Sequence, residues 1–482
     1  MSLRSRFRPG RRSRRERARL AAAAAAGLLV AAAAPALAKT GDASAATPAA
    51  AGSSSTSPAA TPAPKPAGGL TFHGLTLYGV VDVGVAHLDH GAPLSDTFSP
   101  GLPFTVQKFS NRAITSLAPN GLGQSKLGLS GLEPLGDGVS LVFRLETGFQ
   151  PTSGRLNDGP ASLVKDNGRA LADYVESSDS ARAGQVLQGA AYAGFGSKTF
   201  GTLTYGWQTS LMLDNLIRYD PQAQSYAFSL IGYSGVAGGA GDTEDARLGS
   251  SLKYVVARGP LRLGALHQFG QGGHIPGGSD AVDLGLDLGG FSVDAIWDQV
   301  KGAVAASPLA AAQNLAHPGT LAAVISDNTA YSVQAKYAWR RAKLYGGYER
   351  IEYANPSHPL TAGINGPGGY TLSVISNSAY TFHKLLQVSW VGVRYAVTRT
   401  LDLSAAYYRY DQNSYKGNGC SDTSAASCSG VLNEVSAVID DHLTRHFDVY
   451  AGIVSSHVAD GLASGFIQTS STGAMTGVRF SF

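Results

Sequence analysis

Leu135-Gly136-Asp137-Gly138 leads into Val139-Ser140-Leu141-Val142-Phe143-Arg144-Leu145-Glu146, a glycine-rich turn followed by a strand with a two-residue period. Val139, Leu141, Phe143 and Leu145 fall on one face, and Ser140, Val142, Arg144 and Glu146 on the other. Successive side chains of a strand point to opposite faces. One face is therefore apolar throughout while the other carries charge. That is the pattern of a strand with lipid on one side and water on the other.

The same rhythm extends in both directions. Upstream, strands are predicted over residues 70–87 and 123–133, separated by a long loop that runs to Pro119. The quoted strand runs over 139–150. Downstream, strands are predicted over 187–196, 201–208, 247–257, 261–270, 281–288, 291–300, 330–338, 342–353, 385–396, 400–412, 431–440, 446–457 and 473–482. The count is sixteen. Short and long connections alternate, as when turns lie on the periplasmic side and loops outside. Lipid offers no hydrogen-bond partners, so a spanning sheet must close on itself. An even count leaves both termini on one side.

Composition agrees. Of 482 residues, 44% are hydrophobic, only 15% are charged and 60 are glycine. After residue 38 no apolar run reaches the roughly 20 residues of a membrane helix. The 21 tyrosines fit aromatic girdles at both membrane edges. The chain ends Gly477-Val478-Arg479-Phe480-Ser481-Phe482. Phe480 and Phe482 share the lipid-side parity and Arg479 points the other way. The fold class expected is all-β, a sixteen-stranded antiparallel transmembrane β-barrel.

Residues 1–38 read as a signal peptide. Nine arginines lie within residues 4–19, an apolar stretch follows over 20–34, and Ala36-Leu37-Ala38 fits the small-residue cleavage rule. Glu16-Arg17-Ala18 follows Arg14-Arg15 where the twin-arginine route favours an apolar run, so the general secretory route is expected. Without this segment 29 Lys and Arg stand against 33 Asp and Glu, a net charge of −4. The basicity of the whole chain belongs to the signal and implies no nucleic-acid partner. Residues 39–69, rich in Ala, Pro, Ser and Thr, lack the apolar groups to form a core. They read as a disordered periplasmic segment before the barrel domain at 70–482. Cys420 and Cys428 sit eight apart in a polar loop. For an exported chain a disulfide between them is the expectation, and no Cys/His spacing nearby points to a metal.

Several segments resemble the betaproteobacterial type of Gram-negative general diffusion porin. Leu75-Thr76-Leu77-Tyr78-Gly79-Val80-Val81-Asp82 is similar to that family's first strand. Ser125-Lys126-Leu127-Gly128-Leu129-Ser130-Gly131-Leu132-Glu133 with its turn is similar to the second, and Phe143-Arg144-Leu145-Glu146-Thr147-Gly148-Phe149 to the third. Ala191-Tyr192-Ala193-Gly194-Phe195, Phe200-Gly201-Thr202 and Gly206-Trp207-Gln208 resemble the fourth and fifth. Tyr395 with Thr398-Arg399-Thr400 and the terminal Phe482 are shared too. The resemblance implies a homotrimer, an inward-folded third loop with an acidic constriction, and a basic ladder on the wall facing it. It also gives Phe482 the role of assembly signal toward the barrel-insertion machinery.

By that resemblance the third loop is 209–245, with acids Asp214, Asp220, Asp242, Glu244 and Asp245. Lys126, Arg144 and Arg479 are the candidate basic wall, and Asp82 and Glu146 join the constriction candidates. Parity supports the wall residues independently, because a lipid-facing Lys or Arg near the midplane costs about 2–4 kcal/mol. The chain departs from the family at Ser130, Gly189 and Trp207, where a basic residue is usual. Alternation puts Trp207 toward lipid with Leu203 and Tyr205, whereas the family residue points into the pore. A bulge at Gly206 would reconcile the two.

The function implied is an outer-membrane, water-filled channel for passive diffusion of small hydrophilic solutes and ions, with no cofactor and no catalysis. Two other readings remain. A substrate-specific channel would show an aromatic slide or a second basic ladder; Tyr407, Tyr408 and Tyr410 form a cluster, which a girdle explains more simply. A barrel enzyme such as a phospholipase requires an assembled Ser/His/acid site, and no nucleophile motif stands out. With three basic positions lost and Asp82, Glu146, Asp283 and Asp287 at lumen parity, near-neutral or weakly cation-preferring conduction is expected.

Overall fold

A sheet whose outside meets hydrocarbon inverts the usual burial rule, and this chain shows the inversion. In the computed structural model, Leu261–Gln268 alternates strictly, with Leu261, Leu263, Ala265 and His267 exposed and Arg262, Gly264, Leu266 and Gln268 buried. Across the barrel the exposed residues include Val282, Leu284, Val333, Val391 and Ile453, while Asp294, Asp298, Gln334, Glu349 and Glu434 are buried. Apolar side chains thus form the outer, lipid-facing belt and polar ones the interior.

The structure describes residues 70–91, 93–97, 112–176, 182–233, 247–270, 277–415 and 425–482. The signal, the Ala/Pro-rich segment, Asp242, Glu244, Asp245 and Cys420 lie outside these residues. Among them, sixteen antiparallel strands form the wall: Leu75–Leu88, Lys126–Gly136, Val139–Gly148, Ala190–Ser197, Gly201–Thr209, Arg247–Arg258, Leu261–Gln268, Ser279–Leu288, Phe291–Ser307, Leu321–Trp339, Ala342–Ala354, Lys384–Ala396, Leu401–Gln412, Gly430–His442, Phe447–Asp460 and Ser470–Ser481. They are strands 1 to 16 below. Each pairs with its neighbour, and strand 1 pairs with strand 16 in the register Val80↔Ser481 to Leu88↔Gly473, which closes the ring.

All sixteen predicted strands are present, with three differences. Residues 70–72 do not belong to strand 1. They turn back at His73-Gly74, both with positive φ, and pair with Leu75–Leu77. Ile114–Pro119, expected within a loop, is a short strand that pairs with the upper half of strand 1, while strand 2 pairs with the lower half. Together they form one wall position, broken at residues 120–125. Strands 9 and 10 have 17 and 19 residues, against the 291–300 and 330–338 expected. About 10 residues cross a bilayer, so this hairpin continues for roughly 25 Å of strand beyond that length at about 3.3 Å per residue.

The projection is covered by other loops. Leu163, from the loop after strand 3, packs with Val304, Leu321, Ile325 and Leu372 in one apolar cluster. Asn167 Nδ2 donates to the Thr320 carbonyl at 2.7 Å, and Tyr370 Oη donates to Asp158 at 3.0 Å. The loop after strand 3 thus reaches strands 9 and 10, six positions around the ring.

The end of the chain completes the closure. Gly79 N donates to the Phe482 carbonyl at 3.0 Å, and Phe482 N donates to the Gly79 carbonyl at 3.1 Å. A Cβ at position 79 would stand 2.6 Å from the Phe482 ring, so any larger residue there must displace that ring. Phe480 and Phe482 stack with centroids 5.9 Å apart. Breaking the ring exposes strand edges all at once. The barrel is therefore expected to migrate differently on gels before and after boiling, and deletion of Phe482 to reduce the folded form by at least half. Identical migration with a helical circular dichroism spectrum would rule out the fold.

Candidate functional site

The segment after strand 5 packs against the polar-side face of the wall. Ser210 caps a helix over Leu211–Tyr219, its hydroxyl accepting from Leu213 N at 3.1 Å. Asp214 lies in the first turn and Arg218 in the last, each favourable to the helix dipole. The helix packs its apolar residues onto the polar-side face of the wall: Met212, Leu213 and Leu216 join a cluster with Ile296, Ile351 and Trp390. Asp214 and Ile217 stay exposed, three residues apart on one helix face.

The segment then runs round the wall. Arg218 lies 3.4 Å from Asp294, and Tyr219 Oη donates to the same carboxylate. Trp390 Nε1 donates to the Tyr219 carbonyl at 3.1 Å. Tyr408 Oη donates to Asp220 at 2.7 Å, and Gln222 bonds both Ser404 and Ser436. Burial pushes the Asp220 carboxyl above its ordinary range, against the pull of Tyr408 and two backbone donors. Further on, Phe228 packs edge-on against Tyr450, with centroids 6.4 Å apart.

The break in the second wall position meets this segment. Gly121 carbonyl accepts from Ser225 Oγ at 2.6 Å and from Ala227 N at 3.0 Å. The break is held by Asp82, whose carboxylate accepts from Gly121 N, Leu122 N and Gly123 N at 3.2, 2.8 and 2.9 Å and from Tyr450 Oη at 2.6 Å. Asp82 is fully buried and acts as an anchor for the backbone. Replacing Asp82 by Ala leaves three N–H groups without their acceptor, at about 1–3 kcal/mol each. The Asp82→Ala barrel is expected to unfold at a clearly lower temperature and to give noisier single-channel current. An unchanged noise spectrum would show that the break does not steady the loop.

Opposite the helix lies a charged cluster on strands 1 to 3. Tyr78 Oη donates to Glu146 at 2.8 Å, and Arg144 Nε donates to Tyr78 Oη at 2.6 Å. Lys126 and Arg144 lie 3.4 and 3.3 Å from Glu146, with 31% and 25% of their side chains exposed against 6% for Glu146. Arg247, whose charge also acts on Glu146, donates from Nε to the Gly189 carbonyl at 2.7 Å. A guanidinium therefore stands at Gly189, where the family carries a basic side chain, supplied from strand 6. The sequence offers Arg247, with Lys253 and Arg262, as a basic residue able to rebuild the ladder, and cross-strand geometry places it at Gly189. Lys253 Nζ reaches Asp214 at 2.8 Å, which ties the helix to the wall.

Of the sequence-selected residues, Lys126, Arg144 and Glu146 come together, and Asp214 faces Lys253. Arg479 lies apart, bound to Asp448 at 2.7 Å at the short-turn end. Asp287 pairs with Arg262, and Asp283 is buried. Cys428 is disulfide-bonded. The register does shift beside Gly206, but the extra residue is on strand 6, where Ser250 has φ +51°. Gln208 therefore keeps the face of Thr204, bonded to it at 2.6 Å. Trp207 stays on the opposite face, its Nε1 donating to the Gln188 carbonyl at 2.9 Å. The bulge does not turn it into the lumen.

A closed sixteen-stranded barrel with an apolar exterior and a charged interior is an outer-membrane β-barrel. A family model described as Gram-negative porin matches residues 21–431, and the chain belongs to that family. It is 27% identical to an outer membrane porin protein of Bordetella pertussis over 158 residues, which cover 33% of this chain and about a third (34%) of the relative. Among solved structures it is similar to an anion-selective porin from Comamonas acidovorans, at 17% identity and a TM-score of 0.56 over 85% of this chain and 99% of the other. It is also similar to outer-membrane expressed OmpT of Vibrio cholerae, at 14% identity and a TM-score of 0.53 over 86% and 100%. These structural likenesses concern the fold. The family locates the protein in the outer membrane.

Proposed function

We propose that the protein is a passive pore for small hydrophilic solutes and ions. Its narrowest passage lies between the Lys126–Arg144–Glu146 cluster and the Asp214–Ile217 face of the loop helix. The observation that carries this reading is the loop itself: residues 210–230 bond the polar-side face of strands 9 and 12 to 15, while strands 1 to 3 keep partly exposed charges. Sixteen strands leave a lumen wide enough for water, and an inward-folded third loop narrows it. The work done is selection by size and charge, with no cofactor and no chemical step.

Solitary conductance steps in a planar bilayer, ohmic and unsaturated as salt rises, are the expected result. Current that saturates with one sugar would favour a substrate-specific channel, and lipid hydrolysis without current would favour an enzyme. We take the assembly to be a homotrimer, in line with the family and with the trimer form in which OmpT of Vibrio cholerae has been solved. The lipid-facing belt, and Phe482 as the signal read by the insertion machinery, complete the proposed partners.

A further inference from the structure

At the short-turn end, away from the passage, strands 13 to 16 carry a belt of ionisable groups on one face. The register sets Asp402 opposite Asp440, His442 opposite Asp448 and Asp448 opposite Arg479. Asp440 and His442 are two apart on strand 14, so they share a face. His442 Nδ1 lies 2.7 Å from Asp448 Oδ1 and 3.9 Å from Asp440 Oδ2. One ligand-capable atom from each of Asp440, His442 and Asp448 lies within 4.8 Å of the others.

Hydrogen bonding alone leaves this cluster incomplete. Asp440 is 5% exposed, and its Oδ1 is buried without a hydrogen-bond partner. Its Oδ2 stands 3.9 Å from both His442 Nδ1 and Arg479 Nη2, beyond hydrogen-bond reach. A buried carboxylate oxygen without a hydrogen bond is costly. Three carboxylates, Asp402, Asp440 and Asp448, stand near two arginines, Arg479 and Arg394.

We propose that Asp440, His442 and Asp448 form a binding site for a divalent transition ion of the zinc class at the short-turn mouth of the pore. Zinc takes His nitrogen at about 2.0–2.1 Å and carboxylate oxygen at about 2.0–2.2 Å in tetrahedral order, which sets neighbouring ligand atoms about 3.4 Å apart. The observed 2.7 and 3.9 Å bracket that separation, so side-chain adjustments of a fraction of an ångström admit the ion. Entry displaces the proton shared by His442 Nδ1 and Asp448 Oδ1. The supporting groups are already in position. Asp402 Oδ2 lies 3.6 Å from His442 Nε2, where it can take up the other ring N–H. Arg479 Nε donates to Asp448 Oδ2 at 2.8 Å, leaving Oδ1 for the ion. Such outer carboxylates orient a ligating histidine. Three protein ligands leave a fourth position open to water in the lumen, so the ion would add positive charge to the exit of the channel.

The test uses untagged, folded full-length protein in detergent, titrated with cobalt(II) chloride and read by visible d–d absorption, with zinc chloride as competitor. Tetrahedral bands saturating at one ion per chain and displaced by zinc are expected. His442→Ala and Asp440→Asn should weaken binding more than tenfold, and Asp402→Asn by roughly tenfold as an outer partner. Heat-dependent gel migration of each variant verifies that the barrel is intact. In bilayers, zinc added from the short-turn side should lower cation current in the wild type and leave His442→Ala unchanged. Absence of tetrahedral bands in the wild type, or bands of equal strength in folded His442→Ala and Asp440→Asn, would overturn the site. Neither result touches the pore reading, which rests on conductance without metal.

Discussion

Excising residues 211–233 and bridging the gap with a short Gly/Ser linker is expected to raise single-channel conductance about twofold or more and to admit larger sugars. The segment is bonded to strands 9, 12, 13, 14 and 15 by Tyr219, Tyr408, Gln222 and Phe228. Its removal vacates the volume it fills beside those strands. The wall should persist, because its ladder closes through strands 1 and 16 independently of the loop. Newly bared groups such as Glu434 and Asp294 would meet water, which hydrates them. Deleting residues 416–426, inside the loop after strand 13, is the control and should leave conductance nearly unchanged. Planar-bilayer recordings with liposome swelling in a sugar series measure both. If the two deletions behaved alike, residues 210–233 would not form the constriction.

The strands were legible in the sequence because lipid imposes a two-residue period on every segment that crosses it. Where that constraint lapses, the reading weakens. Strands 9 and 10 continue above the membrane through Val304-Ala305-Ala306 and Leu321-Ala322-Ala323-Val324-Ile325, which pack under loops and show no polar alternation. Ile114–Pro119 was missed because Asp82 pulls residues 121–123 out of the ladder, so the second wall position has no continuous pattern. Alternation gave Asp82 the right face but could not show its captors, three backbone N–H groups and a tyrosine from the far end of the chain. Glu146 was legible with Lys126 and Arg144 because all three sit on neighbouring strands. The reach of Arg247 to Gly189 spans 58 positions in sequence, and a linear reading has no access to it.

Pairing also changes the expected charge selectivity. The sequence count, with Ser130, Gly189 and Trp207 lacking charge, led to near neutrality or weak cation preference. In the folded chain several acids at lumen parity are occupied: Asp82 by backbone donors, Asp214 by Lys253, and Asp287 and Asp294 by Arg262. At the proposed passage Lys126 and Arg144 pair with Glu146, and the charge of Arg247 acts on the same carboxylate. We therefore expect reversal potentials in a potassium chloride gradient to show a modest anion preference at about 0.1 M salt. There the Debye length of about 10 Å lets wall charges act across the passage. Arg247→Gln is the informative substitution, since Lys126 and Arg144 still pair with Glu146 in it. One charge about 6 Å from the ion path contributes roughly 0.7 kcal/mol in water, about a threefold change in local ion concentration. The variant should thus shift the anion-to-cation permeability ratio about threefold or more toward cations at 0.1 M. The shift should fade near 1 M, where screening acts over about 3 Å. A wild-type cation preference, or an Arg247→Gln ratio equal to wild type at low salt, would mean that the guanidinium at Gly189 does not face the permeating ions.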